Sequence, residues 1–338
     1  MTAIVSIGMV TAVGLDAPSA CASMRGAVDG FQETRYVAPN GDWLVGAPIP
    51  LLADVVGQER LARFAAGAIV ECLAARKAIV DGHNVPVLLC LPETQRVGRP
   101  MSSDASFLHR VLEIAELEHH PRSAVIAHGR PSGLVALATA DRLLASHAAD
   151  HVIIAGVDSY LTAQTVDHHL RHERLLTRDN PRGFIPGEAS ASLLCGRSGG
   201  DVRLDGVGLA REAAFINNPE DLPLRANGMT EAYTQALGAA GIDMARLGYR
   251  ISDLIGEPYW FKQTALASIR LVRGRHEFQD LWSPAECLGN IGAAVVPTMI
   301  GMAWTARRKG YAAGDTVLIE ASNDDGACGA AIFSRTGV

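Results

Sequence analysis

Three histidines that lie close together are the first residues whose types and spacing could do chemistry. His168 and His169 precede His172 by four and three residues, so a helix would bring them to one face. With a carboxylate, imidazoles at this spacing can hold a metal ion. The charged neighbours Asp167 and Glu173 favour the other interpretation, in which this helix face is exposed to solvent.

Six cysteines are the second set of reactive groups. They lie far apart, with no Cys-x-x-Cys pair and no histidine at zinc-ligand spacing, and most lie in apolar runs. Free cysteines in such runs behave as small hydrophobic residues, so we expect buried, inert thiols. This usage is typical of a reducing cytoplasm. The six are Cys21, Cys72, Cys90, Cys195, Cys287 and Cys328.

The elements that must position these residues alternate between short β-branched runs and longer stretches of helical periodicity. This alternation predicts an α/β protein with mainly parallel sheets, and several runs are apolar throughout, as in strands covered on both faces. The segment 30–50 predicts an excursion over the surface. Predicted strands are 3–9, 85–91, 123–127, 151–157, 189–195, 202–211, 249–253, 316–321 and 327–333. Predicted helices are 51–81, 104–118, 131–147, 221–240, 259–273 and 289–309.

Charge and composition exclude several classes of protein. The 338 residues include 30 Lys+Arg and 36 Asp+Glu, a net charge of −6, with 48% hydrophobic and 20% charged residues, which excludes intrinsic disorder. A mildly acidic chain has no general attraction for nucleic acid or anionic lipid, so we expect neither partner.

Two segments bear on location. No basic residue precedes Arg25, so the N-terminus lacks the charged region of a signal peptide. The 20 uncharged residues 287–306 are long enough to span a bilayer, but Asn290, Pro297 and several glycines favour a buried core helix. We therefore expect a soluble protein of the cytoplasm.

A glycine-rich stretch, RSGGD at 197–201, is the best internal boundary. A strand-helix series lies on each side of it, so the sequence predicts two similar halves, 1–199 and 200–338, in one compact unit.

Several stretches resemble the β-ketoacyl synthases of the thiolase superfamily. VSIGMVTAVGLDAPSACASMRGAVDGF resembles their opening strand and glycine turn, and HGRPSGLVALATADRLLASHAADHVIIAGVDSYL resembles their nucleophile-elbow helix and next strand. RGFIPGEASASLLC is similar to the segment that closes their first half. ECLGNIGAAVVPTMIGMAW and IEASNDDGACGAAIF resemble the last active-site helix and the terminal glycine-rich turn. The resemblance implies a thiolase fold of five layers, α-β-α-β-α, with two pseudo-duplicated halves and usually a homodimer.

The resemblance also implies where the condensing residues would fall. The nucleophile position falls on Arg130, or on Gly129 if the register slips by one, and the first histidine position falls on Asp253 or one of the next two residues. Gly289-Asn290 matches the Gly-Asn of the initiating synthases. A guanidinium stays protonated and cannot attack a thioester, and a carboxylate cannot act as an imidazole does, so these positions argue against decarboxylative condensation.

The same residues allow structural roles. Asn290 could cap a turn or bind a ligand, and Asp253 with Glu257 and Trp260 could begin a helix or line a remodelled pocket. Arg130 is expected to bind a carboxylate, that of Asp253 or that of Glu188.

Two other groups could replace the missing thiolate. Ser132 follows His128 closely and could lie in the first turn of the elbow helix, although Pro131 before it favours a simple helix start. Cys328 lies in the terminal strand, where a packed core thiol is the favoured reading.

Two functions follow as hypotheses. In the first, the chain is a β-ketoacyl synthase-like pseudoenzyme that serves as a binding or adaptor protein. The stretch Asp253–Tyr259 resembles proteins found beside type VI secretion effectors, which implies an accessory role in effector loading. In the second, it is an acyltransferase or 3-oxoacyl synthase-type enzyme with a non-standard nucleophile. A chain-length-factor role lies between the two.

The expected partners are a protein, an acyl-carrier protein or acyl-CoA, in a homodimer or heterodimer. No metal, nucleotide or flavin motif is present, so we expect no cofactor.

Overall fold

The computed structural model describes residues 2–51, 54–75, 85–274 and 279–336. The strands are β1 (Thr2–Thr11), β2 (Gln32–Val37), β3 (Trp43–Gly46), β4 (Val87–Cys90), β5 (Ala124–Ile126), β6 (His151–Ser159), β7 (Glu188–Gly196), β8 (Val202–Arg211), β9 (Tyr249–Ser252), β10 (Asp280–Trp282), β11 (Thr316–Ser322) and β12 (Ala327–Arg335). The helices are α1 (Ala17–Arg25), α2 (Gly57–Ala74), α3 (Asp104–Ile114), α4 (Ser132–Ala145), α5 (Ala163–Arg171), α6 (Asn227–Ala240), α7 (Pro258–Leu271), α8 (Ala285–Leu288) and α9 (Val295–Lys309).

The main sheet contains the same strand arrangement twice. Its order is β10-β9-β11-β12-β8-β1-β7-β6-β4-β5. In the first half, β1 is antiparallel to β7 and β7 is antiparallel to β6, whereas β6, β4 and β5 run parallel. In the second half, β8 is antiparallel to β12 and β12 is antiparallel to β11, whereas β11, β9 and β10 run parallel. The halves meet where Thr2–Ile4 of β1 pairs with residues 202–204 of β8. This repeat is the pseudo-duplication that the sequence predicted.

Helices cover both faces of each half. α4 and α9 lie between the halves in one apolar cluster with strands of both, and α1 joins them there. α2 and α3 cover the outer face of the first half, and α6 and α7 cover that of the second. The five-layer arrangement is therefore confirmed. The boundary between residues 199 and 200 falls in the connection from β7 to β8 and stays a prediction.

The prediction of mainly parallel sheets is wrong. Each half has two parallel and two antiparallel pairings, and the central pairing of β1 with β8 is antiparallel. A strand covered on both faces has the same continuous apolar sequence in either direction, so the hydrophobic pattern does not reveal direction.

Element boundaries differ in other places. The segment 30–50 contains a hairpin of β2 and β3, with Val37 opposite Trp43. Helix α2 begins at Gly57 rather than at residue 51, and residues 76–81 of that prediction lie outside the described residues. Helix α1 was not predicted, although Asp16 accepts a hydrogen bond from the backbone N–H of Ser19 (2.7 Å), as a helix cap does.

The cysteine prediction is confirmed, since all six side chains are buried and unbonded to one another. Burial raises the pKa of the Cys21 and Cys287 thiols to about 11. Among the described residues, no helix is long and apolar enough to cross a membrane. The uncharged run 287–306 instead passes from α8 through a short 3₁₀ turn into the buried part of α9.

Candidate functional site

The turn before α4 places Arg130 at the start of the central helix. β5 ends at Ile126, and Gly129 turns the chain with φ +63°. The positive φ favours glycine here, and a Cβ at this position would lie 2.3 Å from Glu93 Oε1, so a larger residue would also have to displace the Glu93 carboxylate. Arg130 and Pro131 follow, and α4 begins at Ser132.

The guanidinium of Arg130 is buried and paired with groups from the second half of the chain. It donates to Asp253 Oδ2 (Nη1, 3.1 Å) and to Asp324 Oδ1 (Nη2, 3.2 Å). It also lies over the Trp260 ring, 3.9 Å from the ring centre, which adds a cation–π contact. The predicted pairing with Asp253 is confirmed. Pairing with Glu188 is not formed.

Glu188 instead holds the segment before α2. Arg60 Nη2 donates to Glu188 Oε1 at 2.6 Å, and the backbone N–H of Ile49 donates to the same oxygen at 2.9 Å. Ser159 donates to the second oxygen. The Glu188 carboxylate therefore holds this segment against β7 and α2.

A second arginine meets the same acidic turn. Arg174, which follows α5, donates from Nε (2.8 Å) and Nη2 (2.7 Å) to the two oxygens of Glu257, the residue that precedes α7. It also donates to Asp324, so two guanidinium groups share that carboxylate. Trp260 Nε1 donates to Glu257 Oε2 at 2.9 Å. We call these residues the arginine cluster: Arg130, Arg174, Asp253, Glu257, Trp260 and Asp324.

The two aspartates bound to Arg130 differ in their electrostatics. Burial raises the pKa of Asp253 to about 6, although the Arg130 charge opposes the rise. Among the described residues, its Oδ1 atom has no hydrogen-bond partner. Burial also opposes ionisation of Asp324, but the charges of Arg174 and Arg130 outweigh it and lower that pKa to about 2. The cluster thus holds one firmly ionised carboxylate and one that protonates easily.

A neighbouring ion pair lies within the first half and is linked to the second half through Asp158. Arg96 donates to both oxygens of Asp158, at 2.8 Å and 2.6 Å. Asp158 also accepts from the backbone N–H of Ala293 at 2.9 Å, in the turn before α9. Glu93 lies beside Arg96 and Asp158, and burial raises the pKa of its carboxyl group. These contacts fix the start of α9 against β6.

Asn290 has a structural contact. It is buried, and its Oδ1 accepts a hydrogen bond from the backbone N–H of Gly292 at 3.1 Å. Its backbone bonds to Ile185 O and to the N–H of Gly187. The observed contacts are those of a residue that closes a turn. A ligand-binding role for Asn290 stays a prediction.

The two alternative nucleophiles lie in unreactive surroundings. Ser132 is buried, its hydroxyl faces Leu91 O at 3.3 Å, and it accepts from the backbone N–H of His128 rather than from the imidazole ring. Cys328 packs in the apolar cluster with α6, and burial raises its thiol pKa to about 12. A thiolate is the reactive form, so this sulfur is a poor nucleophile.

The three histidines of α5 do not converge. The rings of His168 and His172 lie 4.2 Å apart, centre to centre, and are tilted by 41°. His169 turns inward between Tyr160 and Phe184, and burial lowers its pKa to about 3. In the described ranges, no group of three or more His, Cys, Asp or Glu side chains is placed to hold a metal ion. Because the His169 side chain is buried, the prediction of a solvent-exposed helix face is wrong for this residue.

Sequence reasoning missed Arg174. It is separated from Glu257 by 83 residues and from Asp324 by 150, and no local pattern marks an arginine whose partners are so distant. The Arg96–Asp158 pair, 62 residues apart, was missed for the same reason.

No family model and no curated protein matches the chain. Solved structures do match, several of them over nearly the whole of both chains. The ketosynthase/chain length factor of ishigamide has 17% identity, a TM-score of 0.72 and 99% coverage of both chains. A β-ketoacyl synthase from Burkholderia phymatum STM815 has 15% identity, a TM-score of 0.75 and the same coverage.

A third structure extends the pattern. The AntDE:AntF structure, a type II PKS acyl-carrier protein in complex with its ketosynthase, has 14% identity, a TM-score of 0.79 and 99% coverage of both chains. With the repeated strand order, these matches define the class: the chain has the thiolase fold. The solved structures that share this fold include β-ketoacyl synthases and chain length factors.

Proposed function

We propose that this chain is a β-ketoacyl synthase-like protein that does not condense acyl groups and that works in the cytoplasm by binding a protein partner. The observation that carries the proposal is the environment of Arg130. This residue stands where the sequence resemblance places the nucleophile, and its charge is matched by Asp253 and Asp324 inside the fold.

The electrostatics support a non-catalytic site. Condensation needs a thiolate at a helix N-terminus and imidazoles that exchange protons with the substrate. Here a permanently charged guanidinium lies before α4, and the carboxyl group of Asp253 pairs with it. A buried ion pair of this kind is costly to break from one side, which favours a fixed structural role.

The nature of the partner is inferred from two sources. Solved structures with this fold include a ketosynthase in complex with its chain length factor and a ketosynthase with its acyl-carrier protein. We therefore propose pairing with a synthase-like subunit, in a heterodimer or homodimer, or with a carrier protein. The resemblance of residues 253–259 to accessories of type VI secretion adds a secretion effector as a further candidate partner.

Intact-mass measurement tests the absence of catalysis. The purified chain is incubated with acetyl-CoA and with acyl- and malonyl-loaded carrier protein, and product formation is followed in parallel. We expect an unchanged mass and no condensation, also for Arg130→Cys, because the imidazole partners are missing. An acyl adduct that disappears in Ser132→Ala or Cys328→Ala would overturn the proposal in favour of the enzyme alternative.

Capture at native expression level tests the binding role. The chain is tagged at its own locus, cross-linked in cells and purified, with an untagged strain as control. We expect one protein at stoichiometric amounts, and its identity distinguishes a synthase subunit, a carrier protein and an effector. Recovery of the chain without any partner would contradict the binding role.

A further inference from the structure

Asp324 differs from the other acids of the arginine cluster in its exposure. Its side chain is 38% exposed, against 2% for Asp253 and 8% for Glu257. It belongs to the four-residue turn between β11 and β12, which is closed by a hydrogen bond from the Asn323 N–H to Ala327 O. Asp324 is therefore the acid of this cluster that faces both the two guanidiniums and the solvent.

The two arginines are held in place by contacts that do not involve Asp324. Arg130 has Asp253 on one side and the face of Trp260 on another. Arg174 makes two hydrogen bonds to Glu257. If the Asp324 side chain moved away, N–H groups of both guanidiniums would still point to the position that its carboxylate occupies. Converging, pre-oriented guanidinium N–H groups are the arrangement that recognises a carboxylate.

We propose that Arg130 and Arg174 form a binding site for a carboxylate carried by another molecule, and that Asp324 occupies this site until that carboxylate replaces it. The exchange keeps the charge of the cluster constant, because one carboxylate replaces another and Asp324 turns to solvent. The rest of the ligand extends outward from the exposed side of the turn. The proposal rests on the proposed binding function and specifies the chemistry that the partner presents.

The first experiment removes the internal carboxylate. Asp324→Ala is compared with Asp325→Ala, which removes the same charge from the same turn at a residue that pairs with Arg211 at 3.5 Å and accepts a hydrogen bond from the backbone N–H of Ala327 at 2.9 Å. The probes are sodium acetate and the capped peptide acetyl-Gly-Asp-Gly-amide, with acetamide and sodium chloride as controls. Melting temperature and calorimetric binding are measured.

We expect acetate to raise the melting temperature of Asp324→Ala and to leave Asp325→Ala unchanged. Acetate at about ten times its dissociation constant multiplies the folding equilibrium constant by about 11. Acetamide has nearly the same shape without the charge, so it restores nothing. Tighter binding of the peptide than of acetate identifies a protein carboxylate as the ligand, and the reverse order identifies a small free acid.

The wild-type protein tests the exchange itself and needs no variant to fold. Because Asp324 competes for the site, we expect wild type to bind both probes about tenfold or more weakly than Asp324→Ala. Arg174→Gln in the Asp324→Ala background should abolish binding. The proposal is overturned if Asp324→Ala binds neither probe, if Asp325→Ala binds equally well, if Arg174→Gln keeps binding, or if wild type binds neither probe.

These outcomes are separable from the proposed function. A wild-type chain that captures its partner while no form binds a carboxylate contradicts the exchange and leaves the binding function intact. Carboxylate binding by a chain that captures no partner, or that condenses acyl groups, contradicts the proposed function instead.

Discussion

We expect the stability of Asp253→Asn, measured relative to wild type, to be greater at neutral pH than at acidic pH, although the substitution removes an ion pair. Burial raises the pKa of Asp253 from 3.8 to about 6 despite the Arg130 guanidinium. A carboxyl group with a raised folded pKa is favoured in its neutral form. Its contribution to stability is thus present below pH 3.8 and is lost as the pH rises through about 6.

The magnitude follows from the two pKa values. At 1.36 kcal/mol per pKa unit, the full effect is about 3 kcal/mol. Roughly half of it, about 1 kcal/mol, falls between pH 5 and pH 7.5. Asparagine has no such titration and keeps the shape of the neutral acid. Relative to wild type, Asp253→Asn should therefore gain about 1 kcal/mol of unfolding free energy over that interval.

Urea denaturation at pH 5 and pH 7.5 and constant ionic strength measures this difference. Asp324→Asn is the matched companion, because Asp324 contacts the same guanidinium but has a pKa lowered from 3.8 to about 2. Its contribution to stability is complete above about pH 4, so Asp324→Asn should show no pH-dependent difference from wild type between pH 5 and pH 7.5. If Asp253→Asn loses stability relative to wild type towards pH 7.5, the Arg130 charge outweighs burial at Asp253, and our account of the cluster is wrong.

Three further predictions concern other buried groups. Burial raises the pKa of Glu320 from 4.5 to about 8, so its stabilising neutral form is lost as the pH rises between these values. From pH 5 to pH 8, the free energy of unfolding of Glu320→Gln should rise by about 3 kcal/mol relative to wild type. The variant of an exposed residue, Glu231→Gln, should show no such rise in the same urea titrations. Arg130→Met leaves the carboxylate of Asp253 buried without its cation and should cost about 3–5 kcal/mol by urea denaturation at pH 7.5. A loss below 1 kcal/mol (roughly the value of a surface pair) would contradict the burial assigned to this ion pair. Gly129→Ala should lower the free energy of unfolding by about 2 kcal/mol, more than Gly199→Ala, which has a similar φ but open space around it. Equal losses would show that the clash with Glu93 is relieved at no cost.

Most of the buried segments and their alternation could be predicted from the sequence. Apolar runs such as 87–90 and 189–195 are strands covered on both faces, and α4 of the middle layer lies within its predicted helix 131–147, whereas α1 of the same layer was not predicted. It also marked the thiolase fold through short matching stretches, because glycines and small residues at close approaches are local requirements of that fold. Arg130 was found for the same reason, since it lies within one of these stretches, whereas Asp253 lies outside them.

Only the tertiary structure decided strand direction and the membership of the arginine cluster. The Arg130–Asp324 contact joins residues 194 positions apart, and Arg174 reaches the same carboxylate across 150 positions. Whether a charged side chain is buried against a partner depends on which turns meet at one edge of the sheet. Periodicity and local propensity carry no information on that meeting, because contacts between distant segments are set by the packing of all layers together.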